Sequence, residues 1–515
     1  MYSKIISGAF VGISAYLVAV EVDVSPGLPS FNMVGSLSCE VREAKERVWA
    51  AMKNAGLDIP PSHITVNLSP ADLRKEGTAL DLPIAVGMLE ALQYFSVGRA
   101  KDILFLGELG LNGEVKKVRG VLPVVQEAVK RGIKECIVPK ANVAEGAVIP
   151  GIIVRGVGSM QELLHFLQAK EEDRDVLLPP QSINAEKLFE KKRTPDDVDF
   201  SEVTGQESAK RAALIAAAGF HNLLMVGPPG AGKSMIAKRI PGILPPLTLK
   251  ESLEVTGIVS VAGLLREDQA LVTERPFQSP HHTISQSALT GGGSVPRPGI
   301  ISLAHRGVLF LDELPEFQRN VLDSMRQPME NHEIQVVRVN GNLSYPADFM
   351  LVCAMNPCYC GYYPDRNRCR CTESQIKKYM GKVSGPILDR IDLCVELMPV
   401  DITGMQGKAR KGMDSAEMRN AVERARCRQE RRFAGTEYRF NSDIDGADVE
   451  KYCVLGKAEQ RCMKKLYQTM KFSVRVYHRI LKVARTIADL EDKDNITEEH
   501  LLEAACYRPA KEYWI

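Results

Sequence analysis

The run GPPGAGKS, residues 227–234, constrains the fold more than any other segment of the chain. It fills the pattern G-x-x-x-x-G-K-[ST] between an apolar run, Leu223–Val226, that predicts a buried strand, and a predicted helix over Met235–Ile240. This is the order of a phosphate-binding loop, in which glycines let backbone N–H groups turn around phosphate oxygens. Lys233 is expected on the β- and γ-phosphates, and the Ser234 hydroxyl on Mg²⁺. The predicted nucleotide-binding residues are therefore Gly227, Pro228, Pro229, Gly230, Ala231, Gly232, Lys233 and Ser234.

Length and composition limit the kinds of protein that this chain can be. Its 515 residues exceed what one hydrophobic core supports, so several domains are expected. A net charge of +2 excludes a general field that attracts polyanions, so any nucleic-acid contact must come from local patches or the pore of a ring. Twelve cysteines, most of them scattered singly, are typical of a reducing compartment and predict a cytoplasmic protein. The apolar stretch Ile5–Val20 is interrupted by Gly8 and Gly12, which predicts a strand and neither a signal peptide nor a membrane segment.

The pattern along the chain predicts four parts. They are a mixed N-terminal domain (1–170), a charged, proline-containing linker (171–197), a nucleotide-binding α/β domain (198–402) and a helical domain (413–515). Within the first part, strands are predicted at 63–68 and 103–109, and helices at 41–56 and 121–131. The fold class is therefore α/β, with a helical C-terminal domain.

Two further predicted strands end in polar side chains. GVLFLDEL (307–314) ends in Asp312 and Glu313, and FMLVCAMN (349–356) ends in Asn356. After a phosphate loop, an acid such as Asp312 holds Mg²⁺ through water, and the adjacent glutamate polarises the attacking water. An asparagine can hydrogen-bond that water or the γ-phosphate. The alternative for the acidic pair is a buried strand that merely ends in an acidic turn, and the phosphate loop favours the ATPase site.

Two arginines complete the predicted catalytic set. Arg390 lies in GPILDRIDL, and Arg475 lies in SVRVYHR near the start of a predicted helix. A guanidinium stabilises charge that develops on the γ-phosphoryl group, and one supplied by a neighbouring subunit couples hydrolysis to the subunit contact. Arg390 is predicted to act from the neighbouring subunit, and Arg475 to close the helical lid on the nucleotide. Arg479, one turn later, is the alternative to Arg475.

The order of these features resembles the AAA+ ATPases, in particular the clade of magnesium chelatase and the MCM helicases. DFSEVTGQESAKRA (199–212) is similar to the adenine-side segment of that clade. RPFQSPHHTISQSALTGGGSVPRPGIISLAHRGVLFLDELPEF (275–317) and PADLRKEGTALDLPIAVG (70–87) resemble the YifB/ComM family of magnesium-chelatase-like proteins. The resemblance covers nearly the whole chain.

This resemblance implies a ring-forming ATPase, a hexamer, that uses ATP and Mg²⁺. ComM-type members are branch-migration helicases of natural transformation, so a motor on branched or single-stranded DNA, without sequence preference, is implied. Two alternatives stay open: a chelatase motor that drives Mg²⁺ into a porphyrin, and an ATP-gated adaptor that remodels protein partners. Chelatase motor subunits lack the N-terminal domain of this chain, and the intact Asp312–Glu313 pair disfavours a pure binding module.

Two segments are predicted to contact DNA. The first, HHTISQSALTGGGSVPRPG (281–299), precedes the acidic strand. The second, IQVVRVNGNLSYPADF (334–349), predicts a hairpin with Asn340-Gly341 at a type I′ turn and Arg338 near the tip. In the resembled clade such inserts project into the ring channel, where arginines and backbone N–H groups contact phosphates of any sequence. A structural hairpin with a solvated arginine is the alternative.

A cysteine cluster follows the asparagine strand in the pattern C-x-C-x₈-C-x-C. Its members are Cys358, Cys360, Cys369 and Cys371, with Arg366, Arg368 and Arg370 between or beside them. Four thiolates can enclose a tetrahedral Zn²⁺ and the arginines favour thiolates, so a structural zinc that braces this loop is predicted. Free thiols or a redox pair are the alternatives. By contrast, His281 and His282 are expected to point apart, as neighbours on a strand or helix do, and not to form a metal site.

Residues 107–142 resemble the proteolytic domain of Lon and the related domain of the recombination protein RadA. The resemblance implies an α+β fold of the ribosomal S5 domain 2-like class for the N-terminal domain. Lon-type proteases need a serine nucleophile and a lysine base. Ala79, beside Thr78, aligns with the serine, and Pro123 aligns with the lysine. The fold without the catalytic dyad is therefore expected, as a ring or DNA-contacting platform and not as an active protease.

Overall fold

Strands with alternating buried side chains build a mixed sheet from the N-terminal part of the chain. The structure, a computed structural model, describes residues 1–189, 198–293, 296–338, 341–399, 413–470 and 472–508. Strands β1 to β9 are Tyr2–Val11, Ser14–Pro26, Ser30–Val34, Ser62–Ser69, Ile103–Phe105, Glu108–Leu109, Val115–Lys116, Glu135–Pro139 and Ile153–Val157. Within the described residues, seven of them pair in the order β3-β4-β2-β1-β5-β8-β9, with β2 antiparallel to both β1 and β4 and the other pairs parallel. Strands β6 and β7 form a separate hairpin.

Helices cover this sheet. They are Cys39–Arg42, Ala44–Asn54, Asp81–Ala91, Val121–Lys130, Val143–Ala147 and Met160–Gln168. Helix Asp81–Ala91 is buried along its whole length and packs on β1 and β2. The predicted strand at 63–68 and the predicted helix at 121–131 are confirmed. The prediction of one strand over 103–109 is wrong: β5 ends at Phe105 and β6 covers only Glu108–Leu109. Between them the backbone of Gly107 bonds outside the sheet, with its N–H donating to Ala79 and its carbonyl oxygen accepting from Leu82, both at 3.0 Å.

The segment predicted as a linker, 171–197, is folded against the first sheet as far as it is described. It contains the short helices Glu171–Asp173, Arg174–Leu177 and Ala185–Phe189. The backbone N–H of Gln181 donates to the carbonyl oxygen of Val154 at 2.8 Å, and Leu188 packs into the apolar cluster beneath. A few apolar side chains in a charged stretch are therefore enough to fix its first part, and residues 190–197 lie outside the described ranges.

The central part of the chain forms a parallel sheet. Strands β10 to β18 are Leu223–Val226, Phe277–Gln278, Gly291–Gly292, Arg297–Pro298, Val308–Leu311, Glu333–Arg338, Gly341–Pro346, Met350–Met355 and Leu393–Glu396. Five of those described pair in parallel in the order β11-β14-β17-β10-β18. Every predicted polar strand end, after β10, β14 and β17, therefore lies at one edge of the sheet, which we call the carboxyl edge.

Three helices of this central part are longer than ten residues, namely Glu207–Gly219, Lys233–Ile243 and Leu249–Ala262, and the other described ones are short. In chain order, the described helices are Glu207–Gly219, Lys233–Ile243, Leu249–Ala262, Gln286–Thr290, Ile300–Leu303, Arg319–Ser324, Arg326–Asn331, Glu373–Met380 and Gly385–Leu388. Single 3₁₀ turns lie at Lys140–Asn142, Phe200–Glu202, Leu314–Glu316 and Asn441–Asp443.

The C-terminal part is helical, as predicted. Its helices are Ser415–Arg432, Val449–Tyr452, Lys457–Met470, Val474–Leu490 and Glu498–Cys506. Helices Ser415–Arg432 and Val474–Leu490 pack on helix Glu207–Gly219 of the central part, and their apolar faces share one cluster with the parallel sheet. Among the described residues, no helix is both long and apolar enough to cross a lipid bilayer.

The N-terminal sheet domain docks on helix Leu249–Ala262, which the sequence patterns did not predict. Ser260 of that helix donates its hydroxyl to the buried carboxylate of Glu145. Lys117 donates to the carbonyl oxygen of Leu265 at 2.7 Å. Burial raises the pKa of Glu145, against the hydrogen bonds that it accepts. The domain is therefore attached to the ATP-binding part by polar as well as apolar contacts.

Candidate functional site

The phosphate loop leads from β10 into helix Lys233–Ile243 at the carboxyl edge. Gly230 and Gly232 have φ angles of +76° and +90°, and nothing lies within 4 Å of a Cβ built on either. Gly227 has no such room, because its Cβ would lie 2.7 Å from the carbonyl oxygen of Leu397. The loop therefore has free space beside Gly230 and Gly232 and is tightly packed at Gly227, a shape that fits phosphate groups.

Lys233 already binds acceptors of the site. Its side chain is buried, and Nζ donates to the carbonyl oxygens of Gly227 at 2.7 Å and Pro228 at 2.9 Å, and to Oδ1 of Asn356 at 3.0 Å. Burial lowers the pKa of Lys233, and the nearby carboxylates of the acidic pair oppose that shift. A phosphate group placed here would meet an ammonium that is oriented by three oxygens.

The acidic pair stands directly after β14, beside the loop. The Ser234 hydroxyl donates to Oδ2 of Asp312 at 2.6 Å, and the backbone N–H of Glu313 donates to Oδ1 of Asp312 at 2.9 Å. A hydroxyl and a carboxylate at this distance are the oxygen ligands that Mg²⁺ prefers. Glu313 has a φ of +53°, in the left-handed region, and its side chain is 57% exposed. The structure thus brings together five of the predicted site residues: Lys233, Ser234, Asp312, Glu313 and Asn356.

His282 contacts the predicted catalytic glutamate, which sequence reasoning missed. Its Nδ1 lies 3.4 Å from Oε2 of Glu313. The expectation that the two histidines point apart is wrong: the His281 and His282 rings lie side by side, tilted by 33° with centroids 4.1 Å apart. Neither residue is in a strand or helix, so the alternation of side chains does not apply to them. His281 turns instead to the Thr283 hydroxyl, with Nδ1 and Oγ1 2.9 Å apart. In the part of the chain that the structure describes, the four cysteines lie close enough together to hold a metal ion, and these two histidines belong to no such group.

Arg390 and Arg475 lie at the opposite, amino edge of the parallel sheet. The side chain of Asn222, which precedes β10, donates to the carbonyl oxygen of Arg390 at 2.9 Å. Arg390 pairs with Glu330, and Arg475 lies 3.9 Å from the same carboxylate. Both arginines line a cavity of about 710 Å³ whose wall includes Phe349, the residue before β17.

That Arg475 closes the helical lid on the nucleotide stays a prediction, but Arg475 does not face the phosphate loop of its own chain. Its side chain is 57% exposed and lies with Arg390, across the sheet from the phosphate loop of the same chain. Arg479, the alternative, is held by Asp392 at 3.4 Å and by the carbonyl oxygen of Ile391 at 3.2 Å. The buried Arg479 therefore braces the structure, while Arg475 is the more accessible guanidinium.

The two predicted DNA-contacting segments both form short hairpins. The predicted hairpin is present, with strands β15 and β16 paired from Glu333 opposite Pro346 to Arg338 opposite Gly341. Gly341, predicted in the turn, is instead the first residue of β16. The turn residue Asn340 and the side chain of Arg338 lie outside what the structure describes. In the first segment, helix Gln286–Thr290 leads into the small β12–β13 pair, and residues 294–295 likewise lie outside the described ranges.

The four cysteines cluster as the spacing predicts. Cys358 Sγ lies 3.3 Å from Cys360 Sγ and 3.7 Å from Cys369 Sγ, and all four sulfur atoms lie within 4.8 Å of one another. Desolvation raises the pKa of Cys360, but hydrogen bonds from the backbone N–H of Tyr362 and from the other thiols outweigh it and lower this pKa to about 6. The cluster is consistent with a zinc site.

The positions of the Lon-type dyad are occupied as follows. Pro123 lies in the first turn of helix Val121–Lys130. Ala79 and Thr78 precede helix Asp81–Ala91, and the Thr78 hydroxyl donates to the carboxylate of Glu108.

Comparison with known families and proteins covers most of the chain. The family described as "Magnesium chelatase, subunit ChlI" matches residues 199–405, "Subunit ChlI of Mg-chelatase" matches 20–142, and "Magnesium chelatase, subunit ChlI C-terminal" matches 412–508. The central part is thus a chelatase-type ATPase domain.

Full-length relatives are similar throughout. The chain is 41% identical to "Uncharacterized protein YifB" of Salmonella typhimurium over 504 residues, 97% of this chain and 96% of the relative. It is 40% identical to "Competence protein ComM" of Haemophilus influenzae over 506 residues, 98% and 96% of the two chains. A partial match, 28% identical over 174 residues, covers 32% of this chain and 17% of "Archaeal Lon protease" of Pyrococcus abyssi. The chain belongs to the YifB/ComM family of magnesium-chelatase-like ATPases.

Proposed function

We propose that this chain is an ATP-hydrolysing ring motor, a hexamer, that acts on branched or single-stranded DNA as a branch-migration helicase. The observation that carries the ring is the division of the site: Lys233, Ser234 and Asp312 lie at the carboxyl edge of the sheet, and the arginines lie at the amino edge. A complete ATPase site then needs two chains. The similarity to a competence protein and the two hairpin inserts support the DNA substrate.

Each residue has a defined task in this proposal. Lys233 holds the β- and γ-phosphates, and Ser234 and Asp312 hold Mg²⁺, which neutralises charge on the phosphates when bound. Glu313 takes up a proton from the attacking water, and Asn356 orients that water. Arg390 and Arg475 of the neighbouring chain stabilise the charge on the transferred phosphoryl group.

We also propose that Cys358, Cys360, Cys369 and Cys371 hold one structural Zn²⁺. Four ligands about 2.3 Å from a tetrahedral zinc stand about 3.8 Å apart. The sulfur separations among Cys358, Cys360 and Cys369, at 3.3, 3.6 and 3.7 Å, are close to that value, and all four sulfur atoms lie within 4.8 Å of one another. Such a site is closed, with no position for a substrate, so the ion is structural.

ATP hydrolysis measured with no DNA, with single-stranded DNA and with a four-way junction tests the motor. The wild type and Glu313→Gln are compared, with Glu316→Gln as the matched control because Glu316 is a nearby acid that pairs with Lys382 at 3.1 Å. Strong stimulation by the junction that is lost in Glu313→Gln and kept in Glu316→Gln supports the proposal. A robust rate that no DNA changes refutes the DNA motor and directs the search to a protein client or to metal insertion.

A further inference from the structure

The cysteine loop, residues 357–371, packs directly on the nucleotide site. Gly361 has a φ of +83°, and a Cβ built on it would lie 2.5 Å from Cδ of Pro229 and 3.8 Å from the side-chain carbonyl carbon of Asn356. Pro229 belongs to the phosphate loop, and Asn356 accepts the hydrogen bond from Lys233. The backbone of the cysteine loop at Gly361 therefore lies close against the phosphate loop, on the side of Asn356.

The sulfur cluster closes the turn that carries this contact. Cys358 is fully buried and stands two residues after Asn356, whereas Cys371 immediately precedes the N-cap, Thr372, of helix Glu373–Met380. A metal bound to both ends ties the end of β17 to the start of that helix. Gly361 lies on the short span between them and is fixed by the same ligands.

The cysteine loop is held by turns and by packing on the apolar cluster of the parallel sheet, and not by regular secondary structure of its own. No regular helix or strand is assigned between Met355 and Glu373, all of which the structure describes. Local hydrogen bonds, such as the 2.7 Å bond from the Cys369 N–H to the carbonyl oxygen of Asp365, shape its turns. Tyr362 and Tyr363 pack against the apolar cluster, and the guanidinium groups of Arg368 and Arg366 lie 4.1 and 5.0 Å from the centroids of their rings. Residues 364–368 form the exposed outer part of the loop. Metal binding supplies much of the ordering free energy of such small loops.

We propose that the zinc site is a brace for the phosphate loop: the metal fixes Gly361 against Pro229 and Asn356, and its loss weakens ATP binding. This inference rests on the zinc proposed above. The cysteines are positioning residues that act through Gly361 and touch neither nucleotide nor DNA. A chain that has lost its zinc, or whose thiols have been oxidised, would then bind ATP poorly although the amino-acid sequence of its phosphate loop is unchanged.

The first test compares metal content with ATP affinity in the full-length protein. Zinc is measured by mass spectrometry, and ATP affinity is measured by titration with a fluorescent ATP analogue in excess Mg²⁺. We expect about one zinc per chain, and at least about a fivefold weaker affinity after a zinc-selective chelator, restored by added zinc. Cys371→Ser should reproduce the loss, Cys371→His should keep both properties because Cys₃His sites bind zinc, and the exposed Cys427→Ser is the control.

The outcomes separate the two proposals. A protein that binds no zinc when zinc is supplied refutes the zinc site and the brace together. Zinc that is present, but whose removal leaves ATP affinity within about twofold, refutes the brace and leaves the zinc site standing. Because the readout is ATP binding, neither result depends on whether DNA stimulates hydrolysis.

A second variant tests the contact without touching the metal. Gly361→Ala places a methyl group against Pro229, and we expect full zinc content with at least about fivefold weaker ATP binding. Gly435→Ala is matched, since Gly435 has a φ of +80° and no atom within 4 Å of its Cβ position. Equal affinity in the two variants would overturn the brace, since the left-handed backbone strain is the same in both.

Discussion

Replacing Arg390 with alanine should stop hydrolysis by a neighbouring chain and leave the variant's own site intact. Asn222 donates to the carbonyl oxygen of Arg390, and Gly227 of the phosphate loop stands five residues after Asn222. An extended strand of that length spans about 16 Å, with β10 and its neighbours in between. An arginine side chain does not reach across that distance. In the proposed motor, the guanidinium therefore acts on a site of another chain.

The expected loss of kcat follows from the division of the ATPase site between two chains. An arginine supplied by a neighbour contributes about 10³-fold or more to kcat, so Arg390→Ala should lose about that much while ATP binding is kept. Lys233→Ala instead loses its own phosphate contacts and keeps Arg390. In a one-to-one mixture, about a quarter of the interfaces join an intact phosphate loop to an intact arginine. The mixture should then hydrolyse ATP at about a quarter of the wild-type rate if the sites act independently.

The assay is steady-state phosphate release after the two variants are mixed and allowed to exchange subunits. The control mixes Arg390→Ala with the double variant Lys233→Ala/Arg390→Ala, a combination that contains no complete interface. If the first mixture releases phosphate no faster than the sum of the two separate variants, Arg390 does not act across the interface between chains. In that case Arg390 works within its own chain or not at all.

Two further changes have defined outcomes. His282→Ala should lower kcat for ATP about threefold to tenfold at unchanged KM, because it removes the contact that holds the Glu313 carboxylate. For Glu254, desolvation raises the pKa, but hydrogen bonds from His305 and Arg306 outweigh it and lower the pKa from 4.5 to about 2. Since the folded-state value is the lower one, this stabilisation is complete above pH 4.5 and is lost as the pH falls toward 2. Glu254→Gln should therefore lower Tm at pH 7 and approach the wild type in acid, as thermal melts would measure.

Each of these two predictions has a matched control. His281 lies beside the His282 ring but faces Thr283 and not Glu313. His281→Ala should therefore leave kcat within about twofold of the wild-type value. An equal loss in both histidine variants would mean that His282 acts only by packing. Glu267→Gln changes an exposed acid at the end of a nearby loop and should not alter Tm. A Tm difference for Glu254→Gln that persists in acid would contradict the pKa assignment.

The nucleotide site could be read from the sequence because its parts are local. Lys233, Asp312 and Asn356 each follow a short apolar strand, in a polar or glycine-rich segment that begins directly after it. Parallel pairing of the three strands then places these segments at one edge of the sheet. The lid helices were predictable for a similar reason, since their apolar periodicity extends over several turns.

The remaining features depend on contacts between distant segments. The position of Arg475 follows from how the lid packs against Glu330, 145 residues earlier in the chain. His282 meets Glu313 because β11 pairs with β14, but β11 is only two residues long and leaves no pattern. The docking of Ser260 on Glu145 joins groups 115 residues apart. The spacing of residues within a short segment therefore does not predict any of these three contacts.

The hydrogen bonds of Lys233 bear on how the site exchanges its nucleotide. With three oxygens of the site already around Nζ, an incoming phosphate competes with internal acceptors and not with water. In the proposed motor, the oxygens of two phosphate groups of ATP would replace these acceptors, whereas ADP, which has no γ-phosphate, would replace fewer. The loop and Asn356 would then take the lysine back more readily from ADP than from ATP, which favours release of the product over release of the substrate.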